Sequence, residues 1–245
     1  MTKDIALVTG GNKGLGREIV RQLATEGLTV HLGARDNELG RAAQRELAAE
    51  GLDVRFVQLD VTDDASVEAA AKSIEAENGR LDVLVNNAGI MIEWDTAAAD
   101  VTVDQLRQVY DVNVFGVARV TRAFIPLLRR SANGRIVNLS SGLGSISMLS
   151  DPENPISQRG FLAYSSSKAA LNALTVLYAN ALRADGIKVN AANPGLVPTD
   201  LNVRANVDRG TRTPAEGVQA PVELALRPTT TGAFVSSGSA VPLPW

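Results

Sequence analysis

The chain has 245 residues, no cysteine, a single histidine and a formal net charge of −3 at pH 7. These values exclude disulfides, thiolate nucleophiles, zinc–thiolate sites and iron–sulfur clusters, and they make a poly-histidine metal site or a Ser-His-Asp triad remote. Hydrophobic residues make up 45 % and charged residues 21 %, a globular composition, long enough for one large α/β domain and short for two.

No basic block points to nucleic acid. No run of about twenty apolar residues calls for a membrane span. The first residues, Met1 to Asp4, lead straight into a strand-like run, so no signal peptide is expected and a cytoplasmic location is.

Ile5 to Val8 is a short apolar run that ends in Thr9-Gly10-Gly11-Asn12-Lys13-Gly14-Leu15-Gly16. Ile19, Val20 and Leu23 then recur at helical spacing, so the segment reads strand, glycine turn, helix. A second strand, Leu28 to Leu32, contains His31, read as structural; it leads to Gly33-Ala34-Arg35-Asp36 and a helix from about Glu38 to Glu50. Val54 to Leu59 is a third strand ending at Asp60-Val61. Thr62 or Asp63 is placed to cap the next helix, whose buried face carries Val67, Ala70, Ala71 and Ile74.

Leu81 to Val85 is a fourth strand and runs into Asn86-Asn87-Ala88-Gly89. One long helix is predicted from about Val103 to Arg130, with Asn113 inside it. Arg135 to Leu139 is a fifth strand leading to Ser140-Ser141, and residues 143–160 form a loop rich in Ser, Pro and Gly. An apolar-periodic helix carries Tyr164 and runs to about Ala184. Ile187 to Ala191 is a sixth strand, broken by Asn193-Pro194-Gly195. Thr199 to Thr213 is irregular, a short helix runs from Pro214 to about Leu226, and residues 232–235 suit a last strand. Strands alternate with helices, and most strands are apolar on both faces. That pattern predicts a single doubly wound parallel sheet of about seven strands, Rossmann-type, with helices on both faces and one domain over residues 1–245.

The turn Gly10-xxx-Gly14-x-Gly16 follows the first strand. Glycines there let the backbone approach a pyrophosphate, whose charge meets the amides and positive end of the next helix. Asn12, Lys13 and Leu15 lie in the same turn and are candidate contacts. The spacing differs from the common GxGxxG fingerprint.

The end of the second strand discriminates between nicotinamide cofactors: an acid there holds ribose hydroxyls, a base holds a 2′-phosphate. Arg35 stands at that place and Lys13 lies in the turn, so the phosphorylated cofactor, NADPH/NADP+, is expected. Asp36 is placed to compete for Arg35 as an ion-pair partner. Asp60, with Val61 beside it, suits the adenine amino group, or a helix cap. Small residues at Asn87, Ala88 and Gly89 allow the chain to lie against a ribose.

Tyr164 and Lys168 are four apart at the start of a helix, and so share a face. A lysine beside a tyrosine favours the phenolate and is expected to lower the Tyr164 pKa, the requirement for a tyrosine that exchanges protons with a substrate oxygen.

Taken together, Thr9-Gly10-xxx-Gly14-x-Gly16, Asn86-Asn87-Ala88-Gly89, Asn113, Ser140-Ser141, Tyr164-xxx-Lys168 and Pro194-Gly195 resemble the short-chain dehydrogenase/reductase family, in that family's order and over nearly the whole chain. Val8 to Gly14, Ala34-Arg35-Asp36, Leu81 to Ile90 and Val241 to Trp245 are most similar to its carbonyl reductases. The resemblance implies roles. Ser141 binds the substrate carbonyl oxygen, Tyr164 supplies the proton, and Lys168 lowers the Tyr164 pKa and holds the nicotinamide ribose. Asn113 holds a relay water, and Pro194, Gly195, Val197 and Thr199 flank the nicotinamide. The function implied is NADPH-dependent reduction of a ketone, aldehyde or quinone to an alcohol. Alternatives are an alcohol dehydrogenase working oxidatively with NAD(P) and a non-catalytic dinucleotide sensor.

One departure lies between Ser141 and Tyr164, where Asp151-Pro152-Glu153-Asn154-Pro155 belongs to a piece longer than the family's common form and similar to a shortened insertion of monomeric carbonyl reductases. It leaves monomer and homo-oligomer equally open. Met91, Trp94, Leu143, Met148 and Leu196 follow the strand ends and suit an apolar small-molecule carbonyl substrate.

Overall fold

In the computed structural model, which describes residues 3–159, 161–202 and 210–245, the centre of the molecule is a parallel sheet. Its strands are β1 (Ile5–Thr9), β2 (Thr29–Ala34), β3 (Val54–Gln58), β4 (Val83–Asn86), β5 (Arg135–Leu139), β6 (Lys188–Asn193) and β7 (Phe234–Ser236). The seven strands stand in the order β3-β2-β1-β4-β5-β6-β7, and every neighbouring pair is parallel.

Strand alternation sends successive residues to opposite faces, and each face acquires its own core. Ala6 and Val8 of β1, Val83 and Val85 of β4 and Val137 of β5 pack with Ile19, Val20 and Leu23 of helix α1 (Gly14–Thr25) and Leu47 of helix α2 (Asn37–Ala49). Leu7, Leu84 and Ile136 face the other way. They meet Val67 and Ile74 of α3 (Asp64–Asn78) and Val120 and Phe124 of α5 (Val117–Leu128). The continuous apolar runs in the sequence therefore mean burial on both faces.

Helix ends follow local chemistry. Asp36 accepts from the Leu39 amide at 2.9 Å and so caps α2; Asp63 accepts from Ala65 and caps α3. His31 is buried, with its ring hydrogen-bonded to Asn78 Oδ1 at 2.7 Å, the structural role expected of it. Burial moves its pKa down, against a smaller upward effect of that hydrogen bond.

The helix predicted as one piece from Val103 to Arg130 is broken. It starts as α4 (Val103–Tyr110), widens into a π-helical turn over Asp111–Gly116, and resumes as α5. The apolar periodicity does not reveal such a one-residue widening, which re-aims the side chains within it. Gly116 lies against β3's neighbour Val61, where a Cβ would come within 2.9 Å of the Val61 side chain. The predicted loop after Ser141 holds a 3-10 turn (Gly142–Gly144) and the short helix α6 (Ile146–Leu149), ahead of the long helix α7 (Leu162–Ala181). The predicted 214–226 helix is two, α8 (Pro214–Gly217) and α9 (Gln219–Leu226). The Thr199 to Thr213 stretch begins with a 3-10 turn at Asp200–Asn202; residues 203–209 of it, and Gly160 of the earlier loop, lie outside the described residues.

The chain's end returns to that loop. The Trp245 ring stacks on Phe234 with centroids 5.3 Å apart. Ser145 Oγ donates to Pro244 O at 2.8 Å, and the Ser147 amide to Trp245 O at 3.0 Å. Among the described residues no helix is long and apolar enough to cross a membrane.

Candidate active site

The strand order reverses between β1 and β4, and in open parallel sheets the crevice beyond the strand ends at that point is where ligands bind. The residues at the ends of β1 and β4 are stitched together there. Thr9 Oγ1 accepts from the amides of Asn87 and Ala88, both at 3.0 Å, while Asn87 Nδ2 donates to Thr9 O and Gly10 O at 2.8 and 3.1 Å. The glycine turn closes over this contact. A Cβ on Gly16 would lie 2.2 Å from Gly10 O and 2.4 Å from Asn87 Nδ2, so glycine is required. Gly14 has φ 54° and opens α1. No side chain caps that helix at Lys13, so no N-cap side chain competes for its first amides. Asn12 and Leu15 are half-buried in the same turn.

Arg35 is exposed beyond β2 and lines a cavity with Asn37, Arg41, Gln58 and Asp60. Asp36 is occupied in capping α2. Asp60 Oδ1 accepts from both the amide and the hydroxyl of Thr62, at 2.9 and 2.7 Å. Burial pushes the Asp60 carboxyl up, but the Thr62 bonds, with Arg35 and Arg119, outweigh it and hold the pKa below the usual range. Val61 is buried beside it. The second expected cation, Lys13, does not line this cavity. It pairs with Asp200 at 3.2 Å, with both side chains well exposed.

The Pro194-Gly195 turn follows β6, with Gly195 at φ 75°. Asn193 organises it: Oδ1 accepts from the amides of Gly142 and Gly195 at 3.2 and 3.1 Å. One side chain thus ties the loop after Ser141 to the turn after β6. Val197 is buried, and the Thr199 side chain lies 3.7 Å from where a Cβ on Gly14 would be, so this segment reaches across to the glycine turn.

Ser141, Tyr164, Lys168 and Asn113 are brought together. The Ser141 side chain lies close enough to the Tyr164 phenol to pull its pKa down, a smaller effect than that of burial. Lys168 Nζ lies 5.6 Å from the Tyr164 ring centroid and donates to Leu139 O at 2.7 Å. A Cβ on Gly89 would stand 3.4 Å from Asn113 Oδ1 and 3.6 Å from Lys168 Nζ. The end of β4 therefore lies directly on these two side chains.

The adjacent serines are separated by strand alternation. Ser140 is buried and its hydroxyl donates to Asn172 Oδ1 at 2.6 Å. Ser141 is half-buried and turns to the cleft.

One expectation changes. Tyr164 is not lowered. Burial pushes it up to about 12, against a smaller downward effect of Ser141. Lys168 is brought down to about 8 by burial, and its ammonium is directed at Leu139 O. Burial, which disfavours the charged form of each group, decides both shifts. Asn113 spends both amide hydrogens inside the protein, on Ile90 O and Ser167 Oγ, each at 3.0 Å, and accepts from the Ile90 amide at 2.9 Å. Its side chain pins the loop after β4 to α7.

Sequence reasoning missed Glu93, Asn172 and Asn193 as parts of the site, and it placed Thr9 in the glycine motif without a role of its own. Asn172 and Thr175 follow Lys168 at helical spacing. Together they fasten α7 to the end of β5, with Asn138 Nδ2 donating to Thr175 Oγ1 at 2.9 Å. A polar i, i+4, i+7 series on a buried helix face was the available signal. Of the suggested pocket residues, Met91 is buried, Trp94, Leu143 and Met148 are half-buried and Leu196 is exposed.

The fold and this cleft define an α/β enzyme of Rossmann type. The short chain dehydrogenase family profile matches residues 4–210. A (+)-neomenthol dehydrogenase of Arabidopsis thaliana is 35% identical, covering 96% of each chain. The structure of an NADPH-bound carbonyl reductase from chicken fatty liver superposes with a TM-score of 0.87 at 31% identity, over 100% of both chains. That of salutaridine reductase from Papaver somniferum gives 0.81 at 32% identity, over 97% of this chain and 100% of the other. The chain belongs to the short-chain dehydrogenase family and is an oxidoreductase that interconverts alcohols and carbonyls.

Proposed function

We propose that the protein, acting as one domain, uses NADPH to reduce an apolar ketone, aldehyde or quinone to the alcohol. The observation that carries this reading is the convergence of the buried Tyr164 phenol with Lys168, whose Nζ lies 5.6 Å from the ring, beside Ser141, with burial holding the phenol up at about 12. A phenol with that pKa is protonated at neutral pH, and it is positioned to give its proton to an oxygen that becomes alkoxide.

The glycine turn fits the pyrophosphate, since its cradle would be filled by a Cβ on Gly16 and the first amides of α1 are without a side-chain cap. Arg35, in the cavity with Asp60, is the group for the 2′-phosphate. Gly10, Asn12, Lys13, Gly14, Leu15 and Gly16 hold the phosphates. Asp60 and Val61 hold the adenine. Asn87, Ala88, Gly89 and Lys168 take the ribose, and Pro194, Gly195, Val197 and Thr199 the nicotinamide. NADPH, when bound, supplies the hydride. Ser141 donates a hydrogen bond to the substrate oxygen and Tyr164 protonates it. Lys168 keeps a positive charge near the developing alkoxide, and Asn113 fixes the β4 loop above it. The apolar side chains of Met91, Trp94, Leu143, Met148 and Leu196 favour an uncharged substrate. The reductases and dehydrogenase named above support the same reaction class.

The test is oxidation of NADPH, followed optically, against cyclic and aromatic ketones and quinones. Wild type turns over at least one class, and Tyr164→Phe loses that activity while still binding NADPH. A Tyr164→Phe variant at the wild-type rate would overturn the reading.

A further inference from the structure

Glu93 lies in the loop after β4 and is fully buried, at 0% exposure. Among the described residues no lysine, arginine or histidine forms an ion pair with it. Its two oxygens are used otherwise: Oε2 accepts from the Ala163 amide at 2.8 Å and Oε1 from the Tyr164 amide at 2.6 Å. These amides belong to the first turn of α7, whose own N-cap, Phe161, offers no side-chain acceptor. Next to Glu93, the Trp94 ring meets the Phe161 ring edge-on, with centroids 5.6 Å apart. Two consecutive residues of the β4 loop are thus clamped on the residues that lead into Tyr164.

A buried carboxylate without a cation is costly. Here two charge-assisted hydrogen bonds and the positive end of a 20-residue helix offset that cost. Both oxygens are bound to backbone amides, so the carboxylate is not a proton donor or acceptor for a substrate. What it controls is the place of the Tyr164 backbone. The same loop is pinned from below at Ile90 by Asn113 and passes over Lys168 at Gly89. Glu93 therefore closes a circuit from β4 through Asn113 and Ser167 to α7 and back.

We infer that Glu93 is a positioning residue, a remote cap that sets the register of Tyr164 against the β4 loop over which Lys168 and Asn113 converge. The inference rests on the reading of Tyr164 as proton donor. In Glu93→Gln one oxygen is replaced by an amide donor facing a backbone N–H, so one bond is lost. In Glu93→Ala both are lost. A misplacement of the phenol by a fraction of an ångström lowers kcat by about 10- to 100-fold, while KM for the carbonyl and NADPH affinity change little.

The discriminating variant is Phe161→Ser, which gives α7 a cap of its own. Set beside Phe161→Ser alone, the double variant Glu93→Ala/Phe161→Ser recovers the melting temperature lost in Glu93→Ala but not kcat, because a local cap does not restore the tether. Recovery of both would show that Glu93 only stabilises a helix end, and would overturn the inference. So would a folded Glu93→Gln with kcat within about two-fold of wild type. Glu93→Gln serves if Glu93→Ala does not fold. Tyr164→Phe, measured in parallel, separates the two levels: if it retains activity, the proton-donor reading fails, whatever Glu93 does.

Discussion

Asn172 accepts the Ser140 hydroxyl at 2.6 Å and, through its amide, donates to Gly144 O at 3.0 Å. This pair commits Ser140 to the interior and leaves Ser141 as the serine at the cleft. The two serines should respond differently to alanine. On the proposed mechanism Ser141→Ala removes a donor to the substrate oxygen, and it is expected to lower kcat about 100- to 1,000-fold with little change in stability. Ser140→Ala leaves Asn172 short of a partner and costs about 1–3 kcal/mol of stability, with a much smaller effect on kcat. Steady-state kinetics and thermal melts of the two proteins decide it; equal kinetic losses would sink the assignment.

Gly16 is the tightest point of the glycine turn. Gly16→Ala forces a methyl to within 2.2 Å of Gly10 O, and the turn must move because the opposing atom is backbone. NADPH binding, measured by titration calorimetry, is expected to fall by at least about ten-fold, or 1.4 kcal/mol. Gly27 has open space around the same added atom, but its φ of 91° disfavours alanine there too. Gly27→Ala should therefore destabilise by about 1 kcal/mol without changing affinity. A Gly16→Ala protein that binds NADPH normally would show that the turn is not a phosphate cradle.

The fold was legible because burial on both faces of the sheet leaves continuous apolar strands, and alternation with helices fixes parallel pairing. Residues that meet through helix spacing or strand ends, such as Tyr164 with Lys168, were legible for the same reason. Asn113 was legible as a residue but not in its setting: the π-turn at Asp111–Gly116 adds a residue to a helical repeat without altering its composition. Glu93 was hidden more deeply. Its partners are backbone amides some seventy residues away, and backbone groups leave no mark in a sequence. Charge balance was hidden too: placing Tyr164 beside Lys168 suggested a lowered pKa, but how dry the site is depends on tertiary burial.

Arg35 should govern the choice of cofactor. It lines the cavity with Asp60, and neighbouring Asp36 is engaged with the Leu39 amide. Arg35→Ala is expected to raise KM for NADPH about 10- to 100-fold, the scale of one charge-assisted pair of about 1.5–3 kcal/mol, and to leave KM for NADH within about two-fold. Lys13→Ala should do less, because Lys13 shares its charge with Asp200. Equal loss with both cofactors in Arg35→Ala would remove the 2′-phosphate from the reading.

The pH dependence follows from the two buried groups. Tyr164, at about 12, remains protonated across the neutral and mildly alkaline range. Lys168, at about 8, loses its charge as pH rises through that value, so kcat/KM for NADPH reduction should fall above about pH 8 with the slope of one proton. The sign for stability is opposite. The Lys168 pKa is lower in the folded chain than its ordinary 10.5, so between about 8 and 10.5 the unfolded chain binds more protons at this group. The contribution of Lys168 to stability therefore rises with pH over that window. Loss of rate above pH 8 without loss of folded protein distinguishes titration of Lys168 from alkaline unfolding. Lys168→Arg, which stays cationic, should be slower than wild type at every pH but lose the fall near 8. An unchanged fall in that variant would assign it to another group.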